Sequence, residues 1–295
     1  MGPVPVDPDR AAARLAASEL TLACVRRLSR RVLAVESDPA GAANAGIVLG
    51  DERVLVFDTR VTPSLGDELA RAVLAATGAR TADLIVVNSH FHGDHVFGNG
   101  AFRGATIVAS ASTMAAENRE WRRQVAIFER LRPHDAEEIR GAAVATPTFG
   151  LAGPTRVDLG GVDVELEPVG PAHTEGDLVA HLPSEGVAFV GDLVFNGHWP
   201  SMWDADVRGW LTTLRRLGGC AASTLVPGHG PAGNPTMVGR MSECLQFLVA
   251  LERDDGGDQA AAIAASPFAD LLHPARVDEG RRRVREQDLQ PESVA

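Results

Sequence analysis

At 295 residues, with 45% apolar and 23% charged residues, the chain can bury one large core and has the composition of a soluble globular protein. Its formal net charge of −11 argues against a nucleic-acid surface, which needs clustered cations against phosphate. All 28 lysine-plus-arginine positions are arginine and tyrosine is absent, so no lysine can hold a substrate carboxylate and no tyrosine can donate to an oxyanion.

Residues 1 to about 12, rich in Pro and Asp, read as a disordered tail. They lack the basic and apolar regions of a signal peptide, and Val6 stands where a myristoylation motif needs Ser or Thr. Cys24, Cys220 and Cys244 are isolated and odd in number, which predicts reduced thiols. No apolar run approaches the roughly 20 residues of a membrane span. A cytoplasmic protein with a small-molecule substrate, and no membrane or nucleic-acid partner, is expected; the oligomeric state is left open.

Strands are predicted over 31–35, 45–49 and 53–57, the last two joined by a turn at Gly50-Asp51-Glu52. A helix follows over 65–77, with Gly78 placed to end it. Leu84-Ile85-Val86-Val87 reads as a buried strand that delivers His90-Phe91-His92-Gly93-Asp94-His95 at its end. A third of the chain's nine histidines fall in this hexapeptide, beside a carboxylate: a nitrogen and oxygen donor set for zinc or a similar metal. After a strand at 106–109, residues 112–142 have helical spacing and a strong charge, either overhanging a site or forming a plain solvated face. A hairpin over 157–166 turns at Gly160-Gly161, and strands follow at 178–182 and 187–190. A helix over 206–217, a strand at 224–226, a helix over 237–252 and an Arg-rich helix after Arg276, fraying into a polar tail at 281–295, complete the chain. Early hairpins, interspersed helices and two similar halves suggest two mixed sheets packed face to face with helices outside.

Three later residues repeat one feature, a metal-ligand side chain at a strand end beside glycine or near it: His173, Asp192 and His229. Taken with Asp58 and the hexapeptide, in this order over about residues 30–235, they resemble the five motifs of the metallo-β-lactamase superfamily, closest in style to its glyoxalase II-like and lactamase-like bacterial hydrolases. The resemblance implies an α/β fold, a four-layer αββα sandwich, as a single domain over 13–280. It implies two zinc ions, with iron or manganese as alternatives: one held by His90, His92 and His173, the other by Asp94, His95 and His229, and Asp192 between them. Asp58 would support the metal loop without binding metal. A hydroxide shared by the two ions would attack an ester-like carbonyl, a thioester or lactone, with Asp94 as the catalytic carboxylate. A β-lactam is the alternative substrate, and a mononuclear iron persulfide dioxygenase the alternative enzyme. Lactamases that grip their substrate with lysine, and lactonases that use tyrosine, fit poorly with a chain that lacks both.

Among the other histidines, His134 is expected at the surface, His181 inside a strand and His273 in a C-terminal helix or loop. His198 and Trp199, in a loop shortly after Asp192, are candidates for touching substrate, with packing as the default. Arg119 and Arg208 are candidates for holding an anionic group, with surface roles as the default.

Overall fold

The computed structural model describes residues 2, 4–37, 43–254 and 257–289. In chain order the elements are α1 (Pro8–Ala16), β1 (Ala23–Arg27), β2 (Val32–Ser37), β3 (Ala45–Leu49), β4 (Val54–Phe57), α2 (Pro63–Thr77), β5 (Leu84–Val87), α3 (Gly93–Val96), β6 (Thr106–Ser110), α4 (Ala111–Leu131) and α5 (Ala136–Arg140). The second half comprises β7 (Phe149–Leu151), β8 (Thr155–Asp158), β9 (Asp163–Pro168), β10 (Leu178–Leu182), β11 (Val187–Phe195), α6 (Val207–Leu217), β12 (Thr224–His229), α7 (Thr236–Arg253), α8 (Gln259–Ala264) and α9 (Arg276–Glu286).

β1 to β7 form one sheet in sequence order, antiparallel as far as β4 and parallel from there. The other sheet runs β12-β11-β10-β9-β8, with only β11 and β12 parallel. Strands β3, β4 and β5 are buried at every position, as continuous apolar runs covered on both faces should be. Their alternate side chains supply two different cores. Val48, Leu55, Phe57, Ile85 and Val87 point toward the second sheet and pack with Leu166, Phe189 and Val226. Ile47, Val54, Val56 and Val86 point outward against α1 and α2. On the far side, α6, α7 and α9 cover the second sheet through Trp210, Leu214, Met241, Leu245, Val277 and Val284. The result is the four-layer αββα sandwich. Phe57 and Phe189 stack across its centre at 5.3 Å, and Gly46 makes room: a Cβ there would lie 2.2 Å from the Phe189 ring.

Local signals explain most boundaries. Thr62 Oγ1 accepts from Leu65 N at 3.2 Å to start α2, and Gly78 ends it at φ 72°. Gly160 and Gly161 take positive φ in the turn between β8 and β9. The stretch 112–142 divides into α4 and α5.

The expected tails are corrected by packing. In α1, Asp7 caps the helix and Pro8 opens it, while Val6, Ala11, Ala12 and Leu15 are buried against the first sheet. Pro and Asp there are helix-start residues, not signs of disorder. At the other end α9 continues through 281 to Glu286, and Leu289 is buried beside it; residues 290–295 lie outside the described residues. Strand β1, Ala23–Arg27, escaped prediction because its exposed and half-buried pattern carries no apolar run. No described helix is long and apolar enough to cross a membrane.

Candidate metal centre

The strand ends converge at one edge of the sandwich. His90 and His92 follow β5, Asp94 and His95 lie in α3, His173 precedes β10, Asp192 sits in β11 and His229 ends β12. All seven side chains are buried. They form two clusters, His90, His92, His173 and Asp192, and Asp94, His95 and His229, in each of which one donor atom per residue lies within 4.8 Å of the others. Asp192 reaches both: its Oδ2 is 3.4 Å from His173 Nε2 and 3.4 Å from His229 Nε2, and its Oδ1 is 3.1 Å from His95 Nε2.

His90 Nε2, His95 Nε2 and Asp192 Oδ1 are buried yet make no hydrogen bond. Such orphaned polar atoms, shared between the two clusters, fit metal coordination. The outer nitrogens are fixed instead. His90 Nδ1 meets Ser89 Oγ at 2.9 Å, His95 Nδ1 meets Asp58 Oδ2 at 2.7 Å, and His92 Nε2 meets Asp204 Oδ2 at 2.9 Å. Partners of this kind set the tautomer and ring orientation of a metal-binding histidine. Asp58, at φ 60°, also accepts from Ser89 N and Ser89 Oγ, each at 2.7 Å, so it anchors the start of the loop. Arg123 of α4 grips Asp204 at 2.7 and 2.8 Å. Below His173, Asp177 accepts from Thr174 N and Oγ1, and burial pushes its carboxyl up to about 7.

Burial drives His173 down to about 3, and burial with neighbouring imidazoles holds His90 well below its ordinary value. Both are therefore neutral, the form that binds metal. Burial opposes ionisation of Asp192, but His229 and His95 keep its carboxyl well below the usual range. Gly228 packs directly against this group: a Cβ would lie 1.8 Å from Asp192 Oδ1.

Above the clusters opens a cavity of about 380 Å³ with His92, Asp94, Asp192 and His229 on its floor. Phe128, Leu131 and Arg132, at the end of α4, form one wall. His273, Arg276 and Glu279 form another, and Trp203 completes the rim.

Residues 38–229 match the family model of the metallo-beta-lactamase superfamily. The chain belongs to this superfamily. It is 24% identical over 201 residues to the metallo-beta-lactamase type 2 of Bacteroides fragilis, covering 66% of this chain and 72% of the relative. It is 30% identical over 162 residues to a hydroxyacylglutathione hydrolase of Cereibacter sphaeroides, covering 54% of each. Its fold matches that of a metallo-beta-lactamase from Pontibacter korlensis with a TM-score of 0.59 at 23% identity, over 76% of this chain and 99% of the other.

As a superfamily member the chain is a metal-binding hydrolase by fold and donor set, and the structure brings Asp58 and all seven expected ligands together. Of the two candidates for touching substrate, neither lines the cavity, and packing, their default, is what they do. Trp199 is 1% exposed, packed near Phe247 and Phe268 in the core. His198 is also buried and lines a neighbouring hollow with Gly197 and Leu272, not the cavity over the clusters. The loop does reach the rim, through Trp203, whose Nε1 lies 3.0 Å from His92 Nε2. Arg119 pairs with Glu120 and Glu175, and Arg208 is exposed on α6, so neither lines the cavity. His134 is exposed, and His181 is a half-buried strand residue near Glu167. Asp204 and Arg276 went unrecognised because nothing local to them carries a ligand pattern, whereas the loop that carries Trp203 was expected along the rim.

Proposed function

We propose that this protein hydrolyses an ester-like carbonyl, a thioester or lactone, with a binuclear zinc centre. The observation that carries the reading is the intact second cluster, Asp94, His95 and His229, beside the first, with Asp192 against both. His90, His92 and His173 would hold one ion, Asp94, His95 and His229 the other, and Asp192 would reach each. Two bound divalent cations supply a hydroxide nucleophile at neutral pH and Lewis-acid polarisation of a carbonyl.

The chain's own residues supply the remainder. Asp94 faces the cavity with Oδ2 3.2 Å from His229 Nε2. Against the effect of burial, His95 and His229 hold its carboxyl below the usual range, so it is an acceptor at neutral pH. There it can orient a water and pass a proton toward the leaving group. Phe128, Leu131 and Trp203 give the cavity an apolar wall.

β-Lactam hydrolysis is the second reading, supported by similarity to the Bacteroides fragilis metallo-beta-lactamase over a longer span, 201 residues, than the 162 matched to the hydroxyacylglutathione hydrolase. A mononuclear iron dioxygenase would leave Asp94, His95 and His229 without a role. Metal analysis and a panel of thioesters, lactones and β-lactams on zinc-loaded protein test the proposal. The expected outcome is about two zinc per chain and turnover of a carbonyl substrate that chelation abolishes. Asp94→Asn is expected to lower kcat on the order of 10²- to 10⁴-fold with zinc retained. Wild-type turnover by that variant, or one iron per chain with persulfide oxidation, overturns the reading.

A further inference from the structure

The hollow beside His198 is larger than the cavity over the clusters, about 540 Å³, and shares no lining residue with it. The stretch before β1 supplies Leu20 and Leu22, β1 supplies Cys24, and the loops after β11 and β12 supply His198 and Pro231. Leu272 closes the far side. Two large apolar side chains stand open to solvent on this rim, Leu22 at 38% and Leu272 at 42% exposure. Neither wall is loose. Leu272 is pinned to the loop after β11, donating to the Gly197 carbonyl at 3.0 Å and accepting from Trp199 N at 2.9 Å. Leu22 is held at φ 53°, a conformation uncommon for leucine.

Most polar side chains on the walls are already engaged by the protein. Glu36 Oε1 accepts from Ala232 N at 2.7 Å and pairs with Arg26 at 3.3 Å. Ser37 Oγ donates to the Ala43 carbonyl, and Asn196 Nδ2 to the Pro231 carbonyl, each at 2.7 Å. His198 differs: it is 6% exposed, and its Nδ1 is buried without a hydrogen-bond partner. A buried polar atom left unpaired is costly, and it is satisfied here by whatever fills the hollow. Burial keeps the ring uncharged, and Glu36 is matched by Arg26, so the walls offer no free charge to hold an ion. A neutral imidazole nitrogen donates or accepts according to tautomer, whereas a hydroxyl does both and suits either form. The volume and the apolar lining are those of a site for a small organic molecule.

We propose that this hollow is a second ligand site, which takes a small, uncharged, largely apolar molecule whose hydroxyl bonds His198 Nδ1. The proposal does not rest on the hydrolase reading. The ligand would lie one imidazole away from the candidate metal centre, because the His198 ring stands 6.1 Å from that of His229.

Cys24 makes the site observable. It is exposed, whereas Cys220 is half-buried and Cys244 buried. Alkylation by iodoacetamide, followed residue by residue by peptide mass spectrometry, therefore reports occupancy of the hollow. The probes are 2-naphthol and 2-methylnaphthalene, similar in size, one with a hydroxyl where the other has a methyl group. At saturation 2-naphthol is expected to slow Cys24 alkylation about tenfold and leave Cys220 unaffected, acting at about a tenth of the concentration that 2-methylnaphthalene needs. His198→Phe keeps an aromatic ring but no nitrogen, and should bring the two probes within about twofold of each other. Leu272→Arg, a change at an exposed position that fills the mouth, should abolish protection by both. Unprotected Cys24 up to the solubility limit of the probes overturns the proposal, as does equal potency of the two on wild-type protein. So does protection that survives Leu272→Arg. The titration is run on zinc-loaded and on chelated protein: equal protection is expected, and protection that needs zinc would put the hydroxyl on the metal and overturn the assignment.

Discussion

Glu117 sits on the buried face of α4 at 1% exposure, and neither carboxylate oxygen has a hydrogen-bond partner. Burial alone pushes its carboxyl up to about 8. Below its ordinary value of 4.5 both folded and unfolded chains hold the proton; between 4.5 and about 8 only the folded chain does. Stability should therefore fall as pH rises through that window, at up to about 1.4 kcal/mol per unit. Glu117→Gln removes the titration, so its urea midpoint should exceed that of the wild type at pH 8.5 and approach it at pH 4.5. Parallel midpoint-against-pH curves for the two proteins would show that the carboxylate is paired. At this scale the sequence was legible where chemistry is carried by residue type: His-x-His-x-Asp-His announces metal wherever it folds. Glu117, Asp204 and Arg276 are ordinary residues in ordinary helices and loops, and only burial or proximity gives them a role.

Among the elements, the parallel pair β11 and β12 has the narrowest tolerance. Their register shifts between Phe189 and Gly191 and again before Phe195, and the shifted region carries Asp192. Gly191 takes φ 51°, and Gly228 across the pair leaves no space for a methyl group beside Asp192. Gly228→Ala should therefore swing the Asp192 carboxylate aside without unfolding the strands. The expected outcome is an unchanged far-UV CD spectrum with zinc affinity reduced at least about tenfold, read by chelator competition; unchanged affinity would place Asp192 outside the metal site. Most strands were readable because they are apolar runs ended by Gly, Asp or His. The strand β1 and the helix α1 were not, since one is an exposed edge and the other is short and alanine-rich, and each is stabilised by what it packs on.

For the molecule as a whole, the cores lie between and outside the sheets while the seven ligands lie at one edge. The sandwich should then stand without metal. Chelation is expected to abolish hydrolysis while preserving secondary structure, and to lower Tm in proportion to the lost metal-binding free energy. Loss of the far-UV CD signal on chelation would instead make the metal part of the fold, as in small zinc domains.

The sequence by itself determined the layered fold and the metal chemistry. Strand periodicity and ligand type are local properties, and the order of the strand-end motifs is enough to reveal the superfamily. Tertiary structure decided which side chains meet in the cavity over the clusters. Its walls bring Phe128 of α4, Trp203 of the loop after β11 and Arg276 of α9 together from distant parts of the chain. No local pattern encodes that meeting, because it is set by how the outer helices pack on the two sheets.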